Sequence, residues 1–315
     1  MTTNYSVVIP AYNAERFIAS TLASINRQTL PPQEIVVVDD GSSDQTANVA
    51  RAAGARVVVQ TSSMGPSASR NRGVAETRTE VVAFLDADDE WFPDHAERLM
   101  LALSAEGIAF AGSDAELFGA ESGVVPTALA ETDALDLRDV LIADNPVIQS
   151  SVMINRDAFD RAGGYDETLR LSEDYDLWTR VAEHGMFAYV KTPTVRRRMH
   201  AGQATKRFRA DLVKAWWGVR RRCVSRRLVG ATPLERHHVL KLLDAASTGD
   251  LEWAIWTGEE AMISLVRDEL HATDVALGLG ERLGALGGLG SPSRRLSQDL
   301  RCASRALIQL VRGDR

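Results

Sequence analysis

Cysteine is scarce in this sequence. Its 315 residues include only Cys223 and Cys302. These two lie far apart, so they provide neither a disulfide framework nor the closely spaced pairs of a zinc site. Such cysteine usage is typical of a reducing compartment, and we expect a cytoplasmic protein.

Long apolar runs are also missing. The first run, residues 7–9, ends at Pro10 and is too short for the apolar core of a signal peptide. No later run approaches the roughly 20 residues that cross a bilayer. Composition is otherwise that of a globular protein, with 45% hydrophobic and 25% charged residues. A membrane-spanning protein is therefore not expected.

Charge is distributed unevenly along the chain. Residues 1–205 carry a net charge of −13 and residues 206–315 a net charge of +6. This shift predicts two domains, a large one over 1–205 and a C-terminal extension over 206–315. The extension reads as helical, and the strong acidity of the domain beside it argues against nucleic acid as a partner.

The start of the extension is basic and amphipathic. Residues 206–227 hold nine Lys and Arg residues and one acid. One face of helical spacing is apolar and consists of Phe208, Leu212, Trp216, Val219 and Cys223. Two interpretations remain open. The apolar face packs on the large domain and the basic face is solvated, or the segment makes a peripheral contact with an anionic membrane.

Strands alternate with helices in the first third of the chain. Short β-branched runs are each followed by a segment of helical period, which predicts βαβ units and a mostly parallel sheet flanked by helices. Ligands of such sheets bind at the carboxyl ends of the strands. The polar clusters 13–15, 39–44 and 86–89 all lie at those ends.

Further elements are predicted downstream. We expect a helix over 94–106, a strand over 107–119, a short helix near 135–142, a strand over 150–154, a helix over 171–185, two short strands broken at Pro193, two helices over 233–270 and a last helix over 294–311. The Gly-rich stretch over 277–293 follows no strand and lacks the spacing of a dinucleotide-binding loop.

The fourth strand ends in a cluster of carboxylates. The apolar run 81–85 is followed at once by Asp86, Asp88 and Asp89. One interpretation is an acidic turn that caps a helix. The other is an Asp-x-Asp site, because rigidly held carboxylates supply the hard oxygen ligands that Mg²⁺ or Mn²⁺ prefers. Asp89 is interpreted as a helix cap, and the alternative is a residue that supports a metal ligand.

Four separated segments, taken together, resemble glycosyltransferase family 2. They are VVIPAYNAE, VVVDDGSSD, FLDADDEW and SEDYDLW, and they occur in that order between residues 5 and 205. The resemblance implies a GT-A fold, a Rossmann-like α/β architecture. It also implies an inverting transfer of a sugar from a nucleoside diphosphate donor, most often UDP-linked, to a hydroxyl of a glycan, a lipid-linked molecule or a small molecule. Mg²⁺ or Mn²⁺ is the implied cofactor.

The resemblance assigns the acids of SEDYDLW to catalysis. Inversion requires a base opposite the leaving group to take the proton of the acceptor hydroxyl. Asp174 is the predicted base and Glu173 the second choice. The competing interpretation is that both acids merely favour a helix N-terminus.

The remaining assignments follow the same resemblance. Three of them keep a structural alternative: a turn position for Tyr12, a structural or exposed side chain for His200, and core packing for Trp178. Asp39 is expected to support its loop and Asp44 to cap a helix. Arg196, Arg197 and Arg198 are candidates for the diphosphate. The predicted nucleotide-sugar contacts are Pro10, Ala11, Tyr12, Glu15, Asp40, Arg70, Asn71, Asp86 and Ala87, the metal ligands are Asp88, Asp86 and His200, and Trp178 lines the acceptor pocket.

Two other functions are compatible with an acidic α/β site. A nucleotidyltransferase would carry a Gly-rich, basic phosphate loop after the first strand, and PAYNAERF does not supply one. A non-catalytic module that binds sugar nucleotides or membranes would not need the acids at 40, 86, 88 and 174.

Overall fold

The computed structural model describes residues 4–125, 129, 132–200, 209–257, 268–269 and 272–273. The predicted helix over 294–311 and the Gly-rich stretch over 277–293 lie outside these residues. The chain divides into two compact units. The first comprises Met1–Leu137 and Val147–Gln203, and the second comprises Arg138–Pro146 and Ala204–Arg315. No pattern in the sequence indicates that Arg138–Pro146 belongs to the unit of the C-terminal helices.

The first unit is built on one mixed sheet. Its strands run in the order β3-β2-β1-β4-β9-β6-β10-β5, with β7 paired to β6 and β8 paired to β10. The strands are β1 Tyr5–Ala11, β2 Glu34–Asp39, β3 Arg56–Val59, β4 Val81–Phe84, β5 Glu90–Trp91, β6 Ile108–Gly119, β7 Gly123–Val125, β8 Thr132–Leu135, β9 Met153–Asn155 and β10 Met186–Met199.

The first four strands form the parallel half of the sheet. β1 pairs with β2 on one side and β4 on the other, and β2 pairs with β3, all in parallel. β9 then lies antiparallel to both β4 and β6, whereas β10 runs parallel to β6. The carboxyl ends of β1, β2 and β4 consequently share one edge, and the loops that follow them lie side by side.

Helices cover the sheet and fix its apolar faces. The core of the first unit is formed by alternating residues of β1 and β4 together with one face of the first helix, including Val7, Ile9, Ile18 and Leu22, all with no exposed surface. The helices of this unit are α1 Ile18–Asn26, α2 Thr46–Ala52, α3 Pro66–Glu76, α4 His95–Leu103, α6 Arg156–Arg161 and α7 Glu173–Val181, whereas α5 Val140–Ala143 belongs to the second unit.

The second unit contains the two C-terminal helices that the structure describes, α8 Arg209–Leu228 and α9 Pro233–Thr257. Val219 and Cys223 of the predicted apolar face of α8 are buried, whereas Leu212 and Trp216 are half-buried. The neighbouring Val213 and Trp217 are buried as well. Arg220 is also buried and donates to Asp250 at 2.6 Å. Within the described residues, no helix combines the length and hydropathy needed to cross a bilayer.

Three local predictions are wrong. Residues 149–151 form a 3₁₀ turn, so the strand predicted over 150–154 begins only at Met153. The two strands predicted around Pro193 are one strand, β10, because the chain absorbs the proline in a register shift between Val190 and Val195. Asp89 caps no helix, since α4 begins at His95.

Candidate active site

A buried arginine joins the loop after β4 to the start of α7. The guanidinium of Arg70, on α3, donates from Nη2 to Asp86 Oδ1 and from Nη1 to Glu173 Oε1, both at 2.8 Å. Its side chain is 5% exposed and lies over the ring of Tyr165, 5.3 Å from the centroid. One cation therefore holds together two acidic segments that are 87 positions apart in the sequence.

The paired acids of α7 have different environments. Glu173 forms the ion pair with Arg70, whereas Asp174 accepts a hydrogen bond from the backbone N–H of Tyr175 at 2.7 Å. Burial, with the neighbouring charge of Glu173, raises the pKa of Asp174 to about 6. A carboxylate with such a pKa suits proton abstraction near neutral pH better than one locked in an ion pair.

The backbone is strained directly before these acids. Ser172 adopts a left-handed conformation with φ of 58°, although it is not glycine. Asn13, in the loop after β1, is the other non-glycine residue with positive φ among those the structure describes. Strain of this kind concentrates at functional sites, where the surrounding packing over-determines the conformation. Both strained positions lie in loops that the sequence assigned to the site.

Asp88 and His200 meet at the end of β10. His200 Nε2 lies 2.8 Å from Asp88 Oδ2, and both side chains are about one quarter exposed. Burial and the nearby charge of Asp86 raise the pKa of Asp88. This contact joins two of the three predicted metal ligands, although they are 112 positions apart. The third, Asp86, uses one oxygen for the ion pair with Arg70.

Asp89 belongs to the same loop, and its buried side chain supports the loop. It is 3% exposed and accepts hydrogen bonds from Ser150 Oγ at 2.6 Å and from the backbone N–H of Arg198 at 2.8 Å. Burial raises its pKa well above the ordinary aspartate value. Asp89 is therefore a structural residue of the loop, and its partner Ser150 carried no recognisable signal in the sequence.

Asp40 organises the loop after β3. Its oxygens accept from Gln60 Nε2, from Ser63 Oγ and from the backbone N–H groups of Met64 and Gly65, at 2.7 to 2.9 Å. At 4% exposure it has these donors around both oxygens. A nucleobase that contacted Asp40 directly would have to displace one of them, so the structure favours a role in shaping the loop.

The loop after β1 presents one free aromatic ring. Tyr12 is 57% exposed, which removes the alternative of a partly buried turn tyrosine. Pro10 and Ala11 close β1, where Ala11 accepts the backbone N–H of Asp40 at 2.8 Å. Glu15 turns away from the strand end and accepts the backbone N–H of Gln45 at 2.9 Å. Asp39 and Asp44 make the local supporting contacts expected of them: Asp39 with Ser42, and Asp44 with Thr46 at the start of α2.

Two predicted contact residues are structural instead. Asn71 exchanges two hydrogen bonds of 2.9 Å with the backbone of Tyr165, so its amide holds the loop before α7. Trp178 has no exposed surface and stacks on Phe110 at 5.6 Å, so it belongs to the core and not to an acceptor pocket. Ala87 is buried too, and its carbonyl accepts from Thr21 at 2.9 Å.

Comparison with known proteins identifies the family. The family model described as glycosyl transferase family 2 matches residues 6–159. The succinoglycan biosynthesis protein ExoU of Rhizobium meliloti (strain 1021) is 34% identical over 200 residues, which cover 58% of each protein. Residues 6–159 belong to glycosyltransferase family 2. The amylovoran biosynthesis glycosyltransferase AmsB of Erwinia amylovora is 27% identical over 226 residues, which cover 64% of this chain and 74% of that protein. The match therefore spans less than two thirds of ExoU.

Solved structures confirm the predicted GT-A fold. S. aureus TarS 1–349 in complex with UDP-GlcNAc superposes with a TM-score of 0.71 at 18% identity, covering 98% of this chain and 91% of that one. The mannosyltransferase PcManGT from Pyrobaculum calidifontis, in complex with GDP-Man and Mn²⁺, superposes with a TM-score of 0.55 at 18% identity, covering 99% and 88%. The C-terminal helices are part of the TarS match.

The residues at the edge of the sheet are chemically suited to a divalent cation. Asp88 offers a carboxylate that is about one quarter exposed and His200 an imidazole beside it, and this O/N donor set suits Mn²⁺ or Mg²⁺. Within the described ranges, no three His, Cys, Asp or Glu side chains form a closed cluster. A cation held here would need further ligands from its bound partner, as oxygens of a diphosphate provide.

Proposed function

We propose that the protein is an inverting glycosyltransferase. In this proposal it transfers a sugar from a nucleoside diphosphate donor, UDP-linked, to a hydroxyl of an acceptor. The observation that carries the proposal is the bridge from Asp86 through Arg70 to Glu173. It brings the donor-side loop after β4 against the helix that bears Asp174, and the two halves of a displacement reaction need this proximity.

The two acids at the start of α7 have different roles in this proposal. Arg70 Nη1 contacts Glu173 Oε1 at 2.8 Å, so Glu173 orients the start of α7. Asp174, whose pKa lies near 6, takes the proton from the acceptor hydroxyl as that oxygen attacks the anomeric carbon. The sugar–phosphate bond breaks on the opposite face, and the configuration at the anomeric carbon inverts.

The leaving diphosphate requires neutralisation on the other side of the sugar. Asp88 and His200 would hold Mg²⁺ or Mn²⁺, which when bound supplies Lewis-acid stabilisation of the diphosphate. Tyr12 presents its exposed ring at the end of β1, where it stacks on the nucleobase. Asp40 keeps the loop over residues 60–65 shaped beside it.

The relatives favour a glycan acceptor. The names of ExoU and AmsB refer to the biosynthesis of succinoglycan and amylovoran. The structures of TarS and PcManGT are complexes with UDP-GlcNAc and GDP-Man. We infer that this chain adds a sugar to a growing glycan, in free or lipid-linked form. The basic segment 206–227 would suit a peripheral contact with an anionic membrane in the second case. A cytoplasmic location also stays a prediction.

A two-part experiment tests this function. UDP and GDP are titrated with and without Mn²⁺ while the midpoint of thermal unfolding is followed, and donor hydrolysis is then screened across UDP-, GDP- and TDP-linked sugars. We expect UDP to raise the midpoint only with Mn²⁺, and one donor to be hydrolysed by the wild type but not by Asp174→Asn. Nucleotide binding without turnover on any donor or glycan acceptor would contradict the proposal and favour a binding module.

A further inference from the structure

The last strand of the sheet ends against the loop that bears Asp88. After the register shift that follows Val190, β10 pairs in register with β6 from Val195 to Met199. Side chains two positions apart on a strand share a face. Arg196, Arg198 and His200 therefore lie on one side, and this side faces the loop after β4.

Arg198 fills the space behind this loop. Its Nε donates to the carbonyl oxygen of Asp88 at 2.9 Å, and its Nη2 donates to Glu90 Oε1 at 2.7 Å and to Ser20 Oγ at 3.0 Å. Its own backbone N–H donates to Asp89 at 2.8 Å. Arg198 consequently contacts three consecutive residues of the loop and ties them to α1.

Two aromatic rings keep the guanidinium in place. Its central carbon lies 4.3 Å from the ring centroid of Phe118 and 5.1 Å from that of Phe17. The ring of Phe17 also packs against His200, with 4.9 Å between centroids. Phe17 thus contacts both Arg198 and His200. Arg198 meets the carbonyl of Asp88, and His200 meets its carboxylate.

Arg196 provides an internal comparison. It lies on the same face and shares two partners with Arg198, because it is 3.5 Å from Glu90 and 4.4 Å from the ring of Phe118. Its other ion pair is with Glu116. The contacts of Arg198 that Arg196 lacks include those to Asp88, Asp89, Ser20 and Phe17.

We propose that Arg198 is a positioning residue, which fixes the turn over residues 88–90 so that Asp88 and His200 form a preformed two-donor site for the divalent cation. This inference rests on the proposed function. It replaces the expectation that Arg198 meets the diphosphate, because its guanidinium is engaged by the protein. Residues that orient a metal ligand typically change metal affinity by about 10–100-fold when removed.

The test measures cation affinity rather than transfer. Mn²⁺ binding to the full chain in the presence of UDP is followed by electron paramagnetic resonance, against the same UDP without protein. The proteins compared are the wild type, Arg198→Met, Arg198→Lys and the matched control Arg196→Met. We expect Arg198→Met to weaken Mn²⁺ binding by at least about 10-fold and Arg196→Met to leave it nearly unchanged. Arg198→Lys should fall between, because a lysine keeps the charge but cannot reach three acceptors in a fork.

The outcomes separate this inference from the proposed function. Equal Mn²⁺ affinity in the wild type and Arg198→Met would overturn the positioning role, as would equal weakening in both methionine variants, which would indicate a general loss of charge or of strand packing. If Arg198→Met does not fold, the Mn²⁺ affinity of Arg198→Lys is compared with that of the wild type instead. A wild type that binds and hydrolyses a donor without binding Mn²⁺ would overturn this inference alone, whereas failure to bind any nucleotide would overturn the proposed function.

Discussion

Replacing Asp174 with asparagine should abolish transfer and stabilise the protein at the same time. Asparagine has nearly the same shape, and its Oδ1 can still accept the hydrogen bond from the N–H of Tyr175. It cannot accept a proton from the acceptor. Removal of a general base lowers rates by about 10²–10⁴-fold, so we expect kcat to fall by that factor while donor affinity is retained.

The pKa of Asp174 sets both the pH profile and the change in stability. With a folded-state pKa of about 6, wild-type transfer should fall about tenfold per pH unit below 6. Because the folded-state pKa is raised, the contribution of this carboxyl to the free energy of unfolding is complete below its unfolded pKa of 3.8. That contribution is lost as pH rises through about 6. Two pKa units correspond to about 3 kcal/mol, and partial exposure reduces this, so Asp174→Asn should gain about 1–3 kcal/mol at pH 8.

The assay combines kinetics with denaturation. Transfer is measured between pH 5 and pH 8 for the wild type, and unfolding by urea is measured at pH 5 and pH 8 for both proteins. The asparagine variant should be more stable than the wild type at pH 8, with the difference shrinking at pH 5. A wild-type profile that stays flat down to pH 5, or an asparagine variant that is less stable at pH 8, would refute the assigned environment of Asp174.

Four further substitutions test other parts of the structure. Arg70→Met leaves two carboxylates without their shared cation and should cost about 3–5 kcal/mol of unfolding free energy, measured by urea denaturation. Gly73→Ala should destabilise by about 1–3 kcal/mol, because the new Cβ would lie 2.3 Å from Val8 Cγ1, whereas Gly218→Ala meets nothing closer than 3.8 Å and should stabilise α8 by about 0.5–1 kcal/mol. Asp40→Asn retains only one acceptor oxygen where four donors converge, so one or two hydrogen bonds of the loop are lost. Calorimetry should therefore show UDP binding weakened by about tenfold.

The sequence predicted the parallel half of the fold well because its signals there are local. Each of β1, β2 and β4 is a short apolar run that ends in a polar loop, and period and turn residues alone define such elements. The mixed half depends on pairings between distant segments. The position of β9 between β4 and β6, and the continuity of β10 past Pro193, follow from strand partners that no local pattern encodes.

The same distinction explains which site residues were misjudged. Arg70, Asn71 and Arg198 carry groups that could bind a diphosphate or a base, and a motif cannot show whether a protein acceptor reaches them first. In the structure Arg70 contacts Glu173, 103 positions away, and Arg198 contacts the carbonyl of Asp88, 110 positions away. Trp178 shares a helix with Asp174, but burial rather than helical spacing decides which face meets solvent.

The electrostatics of the site link the ion pair of Arg70 to the proposed cation. Four carboxylates lie around the edge of the sheet: Asp86, Asp88, Glu173 and Asp174. Arg70 contacts two of them and is buried, so it has no exposed charge to offer an incoming diphosphate. An anionic donor would therefore meet uncompensated negative charge at Asp88 unless a cation occupied that position. His200 is suited to complete such a site, because a neutral imidazole adds a donor atom without adding charge. In the proposed function these contacts would serve two tasks: Arg70 would order the start of α7, and the position beside Asp88 would take a cation that accompanies the donor.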